Sequence, residues 1–306
     1  MSEMGEPIPA WPGEKVVAGR TTLFVRSTPE ERGEAAVFVH GLAGSATNWT
    51  DLMGELRDVV RGHAVDLPGF GLSPPPPDGD YTVTGFARVV ARFIAGLDAG
   101  PVHLFGNSLG GAVSVRVAAE RPELVRSLTL ISPALPDLTP RLGPIRTAVA
   151  GTPLLGPFAL GQLRRLPPEQ RVRASMEMIY HDPSAVHPRR VAEAVASVRE
   201  RDGMPYGDRA ILGALRGLIA EYFRRGPRNL WREAARVEAP TLLIHGRYDR
   251  LVDPRRAARA GRAFPHLRNV LLPHCGHVAQ MECPALVARE FRSLRAEAVP
   301  SGYPGG

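Results

Sequence analysis

A serine between two glycines is the first place where the chain offers chemistry. Gly106-Asn107-Ser108-Leu109-Gly110 follows an apolar run, Val102 to Phe105, and precedes a helical pattern from Ala112 to Arg121. Strand, tight turn and helix is the setting that lifts a serine hydroxyl clear of a sheet edge. Glycines flank it because a Cβ at either place would crowd the neighbouring strand and helix. Ser108 then stands at a helix N-terminus, where the dipole favours developing negative charge. A glycine-rich loop can match five residues by chance, so the reading depends on partners elsewhere in the chain.

A hydroxyl is a weak nucleophile at neutral pH. It needs a base within hydrogen-bond reach, and the base needs an orienting acid. His277, in Pro273-His274-Cys275-Gly276-His277, lies just past the last apolar strand pattern, and Gly276 lets the backbone bend there. His274 is its near competitor but sits closer to the strand end. His63, His103, His181, His187 and His266 read as surface or internally satisfied residues. Asp249, in Gly246-Arg247-Tyr248-Asp249-Arg250-Leu251-Val252-Asp253-Pro254, follows its strand at a spacing that leaves the carboxylate at the sheet's end. Asp253 reads as a helix cap with Pro254 in the first turn, and Asp137 is the fallback for the acid. The order Ser, Asp, His is one of three that nucleophilic triads adopt.

The elements that must position these groups alternate along the chain. Glu14 to Ala18 and Thr21 to Arg26 read as an opening hairpin. Ala35 to Val39, His63 to Val65, Val102 to Phe105 and Ser127 to Ile131 read as strands; the continuous apolar runs among them suit a sheet buried on both faces. Ser45 to Asp58 and Thr84 to Leu97 carry helical periodicity. After Ser132 the pattern changes to helices only, at Arg141 to Ala150, Pro168 to Tyr180, Pro188 to Glu200 and Asp208 to Arg225, broken by Gly and Pro. Strands return at Thr241 to His245 and Asn269 to Leu272, with helices at Pro254 to Phe264 and Pro284 to Ala296. This predicts an α/β core over 14–132 and 236–298, an inserted all-helical region over 133–235, and flexible termini at 1–13 and 299–306. In such sheets ligands sit beyond the carboxyl ends of the strands.

Composition narrows the rest. The chain has 306 residues, 44% of them hydrophobic, and a formal charge of +7 with a pI near 10.1. The basic residues are almost all arginine, with Lys15 the lone lysine, and they are scattered. With Ala, Gly and Pro equally rich, this looks like a coding bias rather than a nucleic-acid surface, and no nucleic-acid module signature appears. No apolar run approaches the ~18 residues of a membrane helix. The acidic, proline-bearing N-terminus does not read as a secretory signal, so the expectation is a cytoplasmic protein without stable membrane association. Cys275 and Cys283 form no Cys-x-x-Cys pair and are expected to be reduced space-fillers, with a disulfide the minor alternative. No metal-ligand spacing is present and no cofactor is called for. The oligomeric state is not legible.

Taken together, His40-Gly41-Leu42, Asp66-Leu67-Pro68-Gly69-Phe70-Gly71-Leu72-Ser73, Gly106-Asn107-Ser108-Leu109-Gly110-Gly111, the Asp249 loop and Gly276-His277 resemble the α/β-hydrolase fold superfamily across nearly the whole chain. The resemblance implies about eight strands, mostly parallel, with a cap inserted after the sixth. It also implies an oxyanion hole made by the backbone N–H groups of Leu42 and Leu109, and it casts His40 as a brace or a substrate neighbour. Serine rather than aspartate at the elbow argues against haloalkane dehalogenase and epoxide hydrolase chemistry.

The substrate expected is a small molecule with an ester or vinylogous ketone carbonyl. Leu42, Trp49, Leu109 and the leucine-rich stretch from Pro153 to Leu166 suggest an apolar pocket, with Gly41, Asn107 and Val278 as further contacts. A carboxylesterase is the first reading. Local resemblance of Gly246 to Val252 and of Cys275 to Glu282 to hydrolases of meta-cleavage products makes carbon–carbon bond hydrolysis the second, although His40-Gly41-Leu42-Ala43-Gly44 lacks those enzymes' longer glycine run. Arg164, Arg165, Arg189 and Arg190 are candidates for a substrate carboxylate or, more plainly, exposed arginines. A triad-bearing ligand receptor is the third reading.

Overall fold

The computed structural model describes residues 6–30, 33–136 and 155–298. β1 (Gly13–Ala18) and β2 (Thr21–Ser27) form the opening hairpin. It turns at Gly19, whose φ of 68° suits a residue without a Cβ. β3 (Glu34–Val39), α1 (Thr50–Leu56), β4 (Val60–Val65), α2 (Val83–Gly96), β5 (Val102–Asn107), α3 (Leu109–Glu120) and β6 (Val125–Ile131) follow in alternation. After the helical insertion come β7 (Thr241–Gly246), α9 (Ala257–Ala263), β8 (Leu267–Leu272), α10 (Ala279–Glu282) and α11 (Pro284–Ala298). The eight strands form one sheet in the order β1-β2-β4-β3-β5-β6-β7-β8. β1 and β2 pair antiparallel, as do β2 and β4; every other pair is parallel.

The parallel strands are buried on both faces, and alternate residues serve two cores. Val37 and Val39 of β3 face α2 and α3, whereas Phe38 faces α1 and α11. On that second face Phe38 stacks on Phe105 at 4.5 Å, and Phe105 meets Phe291 at 4.9 Å. α2 shows why an amphipathic pattern becomes a sheet-covering helix. Val83, Phe86, Ala87, Val90, Phe93 and Ile94 share its buried side, and the Thr82 hydroxyl caps its start by accepting the Gly85 N–H at 3.0 Å. Register then aligns the carboxyl ends. Val39 pairs with Gly106, Asn107 with Ile131, and Ile131 with Ile244, so the loops after β3, β5, β6, β7 and β8 emerge at one edge.

Between β6 and β7 the described residues contain helices only: α4 (Leu155–Arg164), α5 (Pro168–Ile179), α6 (Pro188–Gly203), α7 (Gly207–Phe223) and α8 (Leu230–Ala234). The helix expected over Arg141 to Ala150 lies outside the described residues, as do Asp137 and the tail from Val299. α4 forms despite Gly156, Pro157 and Gly161, which hide it from a pattern search; Pro157 falls in the first turn, where its missing N–H has no helical partner to lose. α7 and α8 are fastened to the core by Arg116 of α3. Its Nε meets both Glu233 oxygens at 3.1 Å. Its two Nη groups reach Glu221 at 2.9 Å each, Thr84 at 3.1 Å and the Arg228 carbonyl at 2.9 Å. All three charged side chains are fully buried.

Some expectations are corrected. Residues 6–12, assigned to a flexible terminus, are tied down: Trp11 Nε1 donates to the Thr50 carbonyl at 3.0 Å, Arg26 to the Trp11 carbonyl at 2.6 Å and Arg190 to the Ile8 carbonyl at 2.9 Å. The single helix expected over Ser45 to Asp58 is a 3-10 turn, Ala46–Trp49, followed by α1. Cys275 and Cys283, expected as reduced thiols, are joined in a disulfide. Eight residues apart in sequence, they are brought together because the chain doubles back through α10. Among the described residues no helix is long and apolar enough to cross a membrane.

Candidate active site

Ser108 sits at the β5–α3 junction with φ 52° and ψ −116°, a conformation that L residues seldom adopt. Its neighbours impose it. A Cβ on Gly106 would lie 2.5 Å from the Gly110 carbonyl oxygen, and one on Gly110 would lie 2.1 Å from the Val39 carbonyl oxygen. The turn is therefore as tight as backbone contact allows, and the Ser108 N–H is held by the Ile131 carbonyl at 3.1 Å. Four non-glycine residues have positive φ among those described; three of them, Ala43, Ser108 and Ser132, stand at this sheet edge. Such clustering of strained backbone marks functional sites.

His277 and Asp249 meet there. His277 Nδ1 lies 2.9 Å from Asp249 Oδ2, and both side chains are buried. The other carboxylate oxygen accepts the N–H groups of Leu251 at 2.8 Å and Val252 at 2.9 Å. Burial pushes the Asp249 carboxyl up, but the His277 imidazole, the Val252 amide and the Ser132 hydroxyl together hold it below the usual carboxylate range. The carboxylate thus fixes the ring through Nδ1 and leaves Nε2 for other work. Asn107, directly before Ser108, donates its side-chain amide to the Ile131 carbonyl at 3.0 Å and to the His277 carbonyl at 3.1 Å. The elbow and the histidine loop are thereby tied across 170 residues of sequence.

The β3 loop completes the edge. A Cβ on Gly41 would be 3.2 Å from Ser108 Cβ and 3.1 Å from Asn107 Oδ1, so Gly41 lies directly against the serine. Leu109 opens α3, and the first amides of a helix have no intrahelical acceptor. His40 holds the loop: its Nδ1 meets the Gly41 carbonyl at 2.7 Å and its Nε2 accepts the Leu67 N–H at 3.0 Å. Burial pushes this imidazole down to about 4 against the pull of the Gly41 carbonyl, so it is neutral at pH 7. Asp66 supports the same region by accepting the N–H groups of Ala46 at 2.6 Å and Leu72 at 2.8 Å.

Of the residues offered as substrate contacts, three have other work. His40 is fully buried as a brace. The Asn107 amide is spent on two carbonyls. Trp49 is 0% exposed against Phe38 in the α1 core and does not face the site. Gly41 lies against Ser108. Val278 packs under the insertion with Val172, Met176, Tyr180 and Val195. The arginines singled out are mostly paired: Arg164 with Asp208 at 3.1 Å, Arg189 with Glu193 at 3.3 Å, and Arg190 with Asp51 and Glu193.

Arg201, at the end of α6, is the arginine that sequence reading passed over. Its Nη1 reaches the Ala43 carbonyl at 3.5 Å, one residue beyond Leu42, and among the described residues no carboxylate lies within ion-pair distance of it. Burial and the nearby cations Arg171 and Arg164 lower its pKa against the opposing field of Asp202 and Asp208. Arginine abundance hid it; no spacing rule would have picked it out. Among the described residues no cluster of three or more His, Cys, Asp or Glu could hold a metal ion.

Comparison with known proteins agrees with the sheet. A family model for the alpha/beta hydrolase fold matches residues 37–284. The chain is 29% identical over 288 residues to 2-(acetamidomethylene)succinate hydrolase of Mesorhizobium japonicum, covering 92% of this chain and 94% of that protein. It is 28% identical to 2-hydroxymuconate semialdehyde hydrolase of Pseudomonas putida, covering 94% and 97%. Among solved structures, 2-hydroxy-6-oxo-6-phenylhexa-2,4-dienoate hydrolase from Rhodococcus sp. strain RHA1 superposes with a TM-score of 0.74 at 22% identity, over 93% of this chain and 98% of that one.

Proposed function

The chain belongs to the alpha/beta hydrolase fold family, and on that footing we propose that it is a serine hydrolase in which Ser108 is the nucleophile, His277 the base and Asp249 the orienting acid. The observation that carries this is the buried Asp249–His277 contact at 2.9 Å, held against the Ser108 elbow by Asn107. His277 Nε2 takes the Ser108 proton as Oγ attacks a carbonyl. The tetrahedral oxyanion is met by the amides of Leu42 and Leu109, each worth about 3–4 kcal/mol in the transition state. His277 then protonates the leaving group, and a water activated by the same nitrogen releases the acyl group. Asp249 stays ionised throughout and stabilises the imidazolium.

Esters of small or medium apolar acyl groups are the first substrate class, supported by the apolar surround of Val278. Turnover of p-nitrophenyl butyrate by the wild type and its loss in Ser108→Ala would be expected. An unreactive wild type across acyl lengths would sink the esterase reading. Binding of an ester without turnover would favour the receptor reading instead. A second reading, carbon–carbon bond hydrolysis of an acidic vinylogous diketone, is supported by Arg201, which reaches the Ala43 carbonyl of the β3 loop and among the described residues has no carboxylate within ion-pair distance, and by the 28% identity to 2-hydroxymuconate semialdehyde hydrolase. A 2-hydroxy-6-oxodienoate turned over faster than any neutral ester, with that preference lost in Arg201→Met, would decide for it.

A further inference from the structure

The loop that carries His277 is bonded to the helical insertion as closely as it is to its own sheet. The His277 N–H donates to the Ile179 carbonyl at the end of α5, at 2.7 Å. Gly276 and the α5 terminus are in backbone contact: a Cβ on Gly276 would lie 2.6 Å from the Ile179 oxygen and 2.7 Å from the His181 nitrogen. Glu282, the last residue of α10, spans the junction. One carboxylate oxygen accepts the Gly276 N–H at 2.8 Å and the other accepts the His181 N–H at 2.7 Å, across 101 residues of sequence. Both are charge-assisted bonds to backbone donors, the stronger class of hydrogen bond. A carboxylate serving only its own turn would use neither. Val278 adds an apolar contact beside it, with Met176 and Tyr180 of the insertion.

Resting on the hydrolase reading above, we infer that Glu282 is a positioning residue. Its carboxylate makes the seating of α5 and the placement of the His277 imidazole a single event. Nothing in this role touches substrate; Glu282 acts through the backbone on either side of Gly276. An imidazole set loose by about an ångström costs on the order of a hundredfold in rate. The loss should appear in kcat and leave KM nearly unchanged, because ground-state contacts are not altered.

Three variants of the full chain test this. Glu282→Gln keeps the shape but turns one acceptor into a donor facing an N–H. His181→Pro removes the amide that Glu282 receives from the insertion; Tyr180, at φ −92° and ψ 151°, already has the extended backbone that a following proline requires. His181→Ala keeps the amide and loses the ring. The first two should lower kcat about ten- to a hundredfold, with KM within about twofold, while His181→Ala stays near the wild type. Equal kcat in His181→Pro and His181→Ala would overturn the inference, and this pair decides alone should Glu282→Gln fail to fold. Backbone hydrogen exchange over residues 276–282 gives a readout independent of turnover. Faster exchange in Glu282→Gln and His181→Pro than in His181→Ala supports the coupling, and equal protection overturns it. A wild type inactive on every substrate, with exchange responding as expected, would sink the hydrolase reading alone.

Discussion

Two of the buried ionic groupings among the described residues differ in completeness. At the back of the sheet, Arg116 uses all five of its N–H groups on Glu221, Glu233, Thr84 and the Arg228 carbonyl. At the carboxyl edge, Asp249 is engaged by His277, Leu251 and Val252, but among the described residues the His277 ring is hydrogen-bonded through Nδ1 alone. Buried polar networks are stable when every member is satisfied and costly when one is not. The first grouping is satisfied throughout and holds helices together. In the second, the histidine loop is tied to the residue before a serine in strained backbone, the kind of place where functional groups cluster.

Substitutions can break that contrast or sharpen it. Ser108→Ala should remove about 10⁶-fold of kcat and leave the melting temperature within a degree or two, since Ser108 is outside both networks; calorimetry beside an ester assay would read both. Asp249→Asn should cost about 10⁴-fold by permitting the wrong imidazole tautomer, and an activity within tenfold of wild type would argue that another acid serves His277. Arg116→Met should do the reverse: it strands Glu221 and Glu233 and should destabilise by about 3–5 kcal/mol in urea titration, with kcat of the folded fraction preserved. Loss of kcat without loss of stability there would erase the distinction between the two groupings.

A smaller effect concerns pH. His40 is held down to about 4 by burial, below its unfolded value near 6.5. Between those values the unfolded chain binds a proton that the folded chain refuses. The stability is therefore present above about 6.5 and lost as pH falls towards 4, by about 3 kcal/mol for this group. His40→Asn should flatten that part of the acid unfolding curve, whereas a slope unchanged by the substitution would show that His40 is protonated in place.

The serine elbow was legible because its geometry is written within five residues: Gly106 and Gly110 are needed where backbone meets backbone, and that requirement is local. The strands from β3 to β7 were legible along the chain because they are apolar runs, which report burial directly; their order in the sheet was not, because it depends on which strands pair across long separations. What was not legible depends on partners far away. Arg116 finds Glu221 and Glu233 at separations of 105 and 117 residues, and among so many arginines nothing distinguishes it, or Arg201, beforehand. Trp49 read as pocket wall because an aromatic near an elbow loop suits either face, and the face is decided by the 3-10 turn before α1. The N-terminal residues read as loose for lack of pattern, yet their carbonyls and Trp11 are held by long-range donors that no local signal announces.

The Cys275–Cys283 bridge closes around Gly276, His277 and α10. Its consequence is a matter of history as much as of shape. Reduction of the bridge would add a pair of hydrogen atoms to the loop that carries His277, so two batches identical in sequence but different in redox history would differ there. An intact-mass spectrum would read that difference directly, and rates measured on mixed batches would be averages over two populations rather than properties of one.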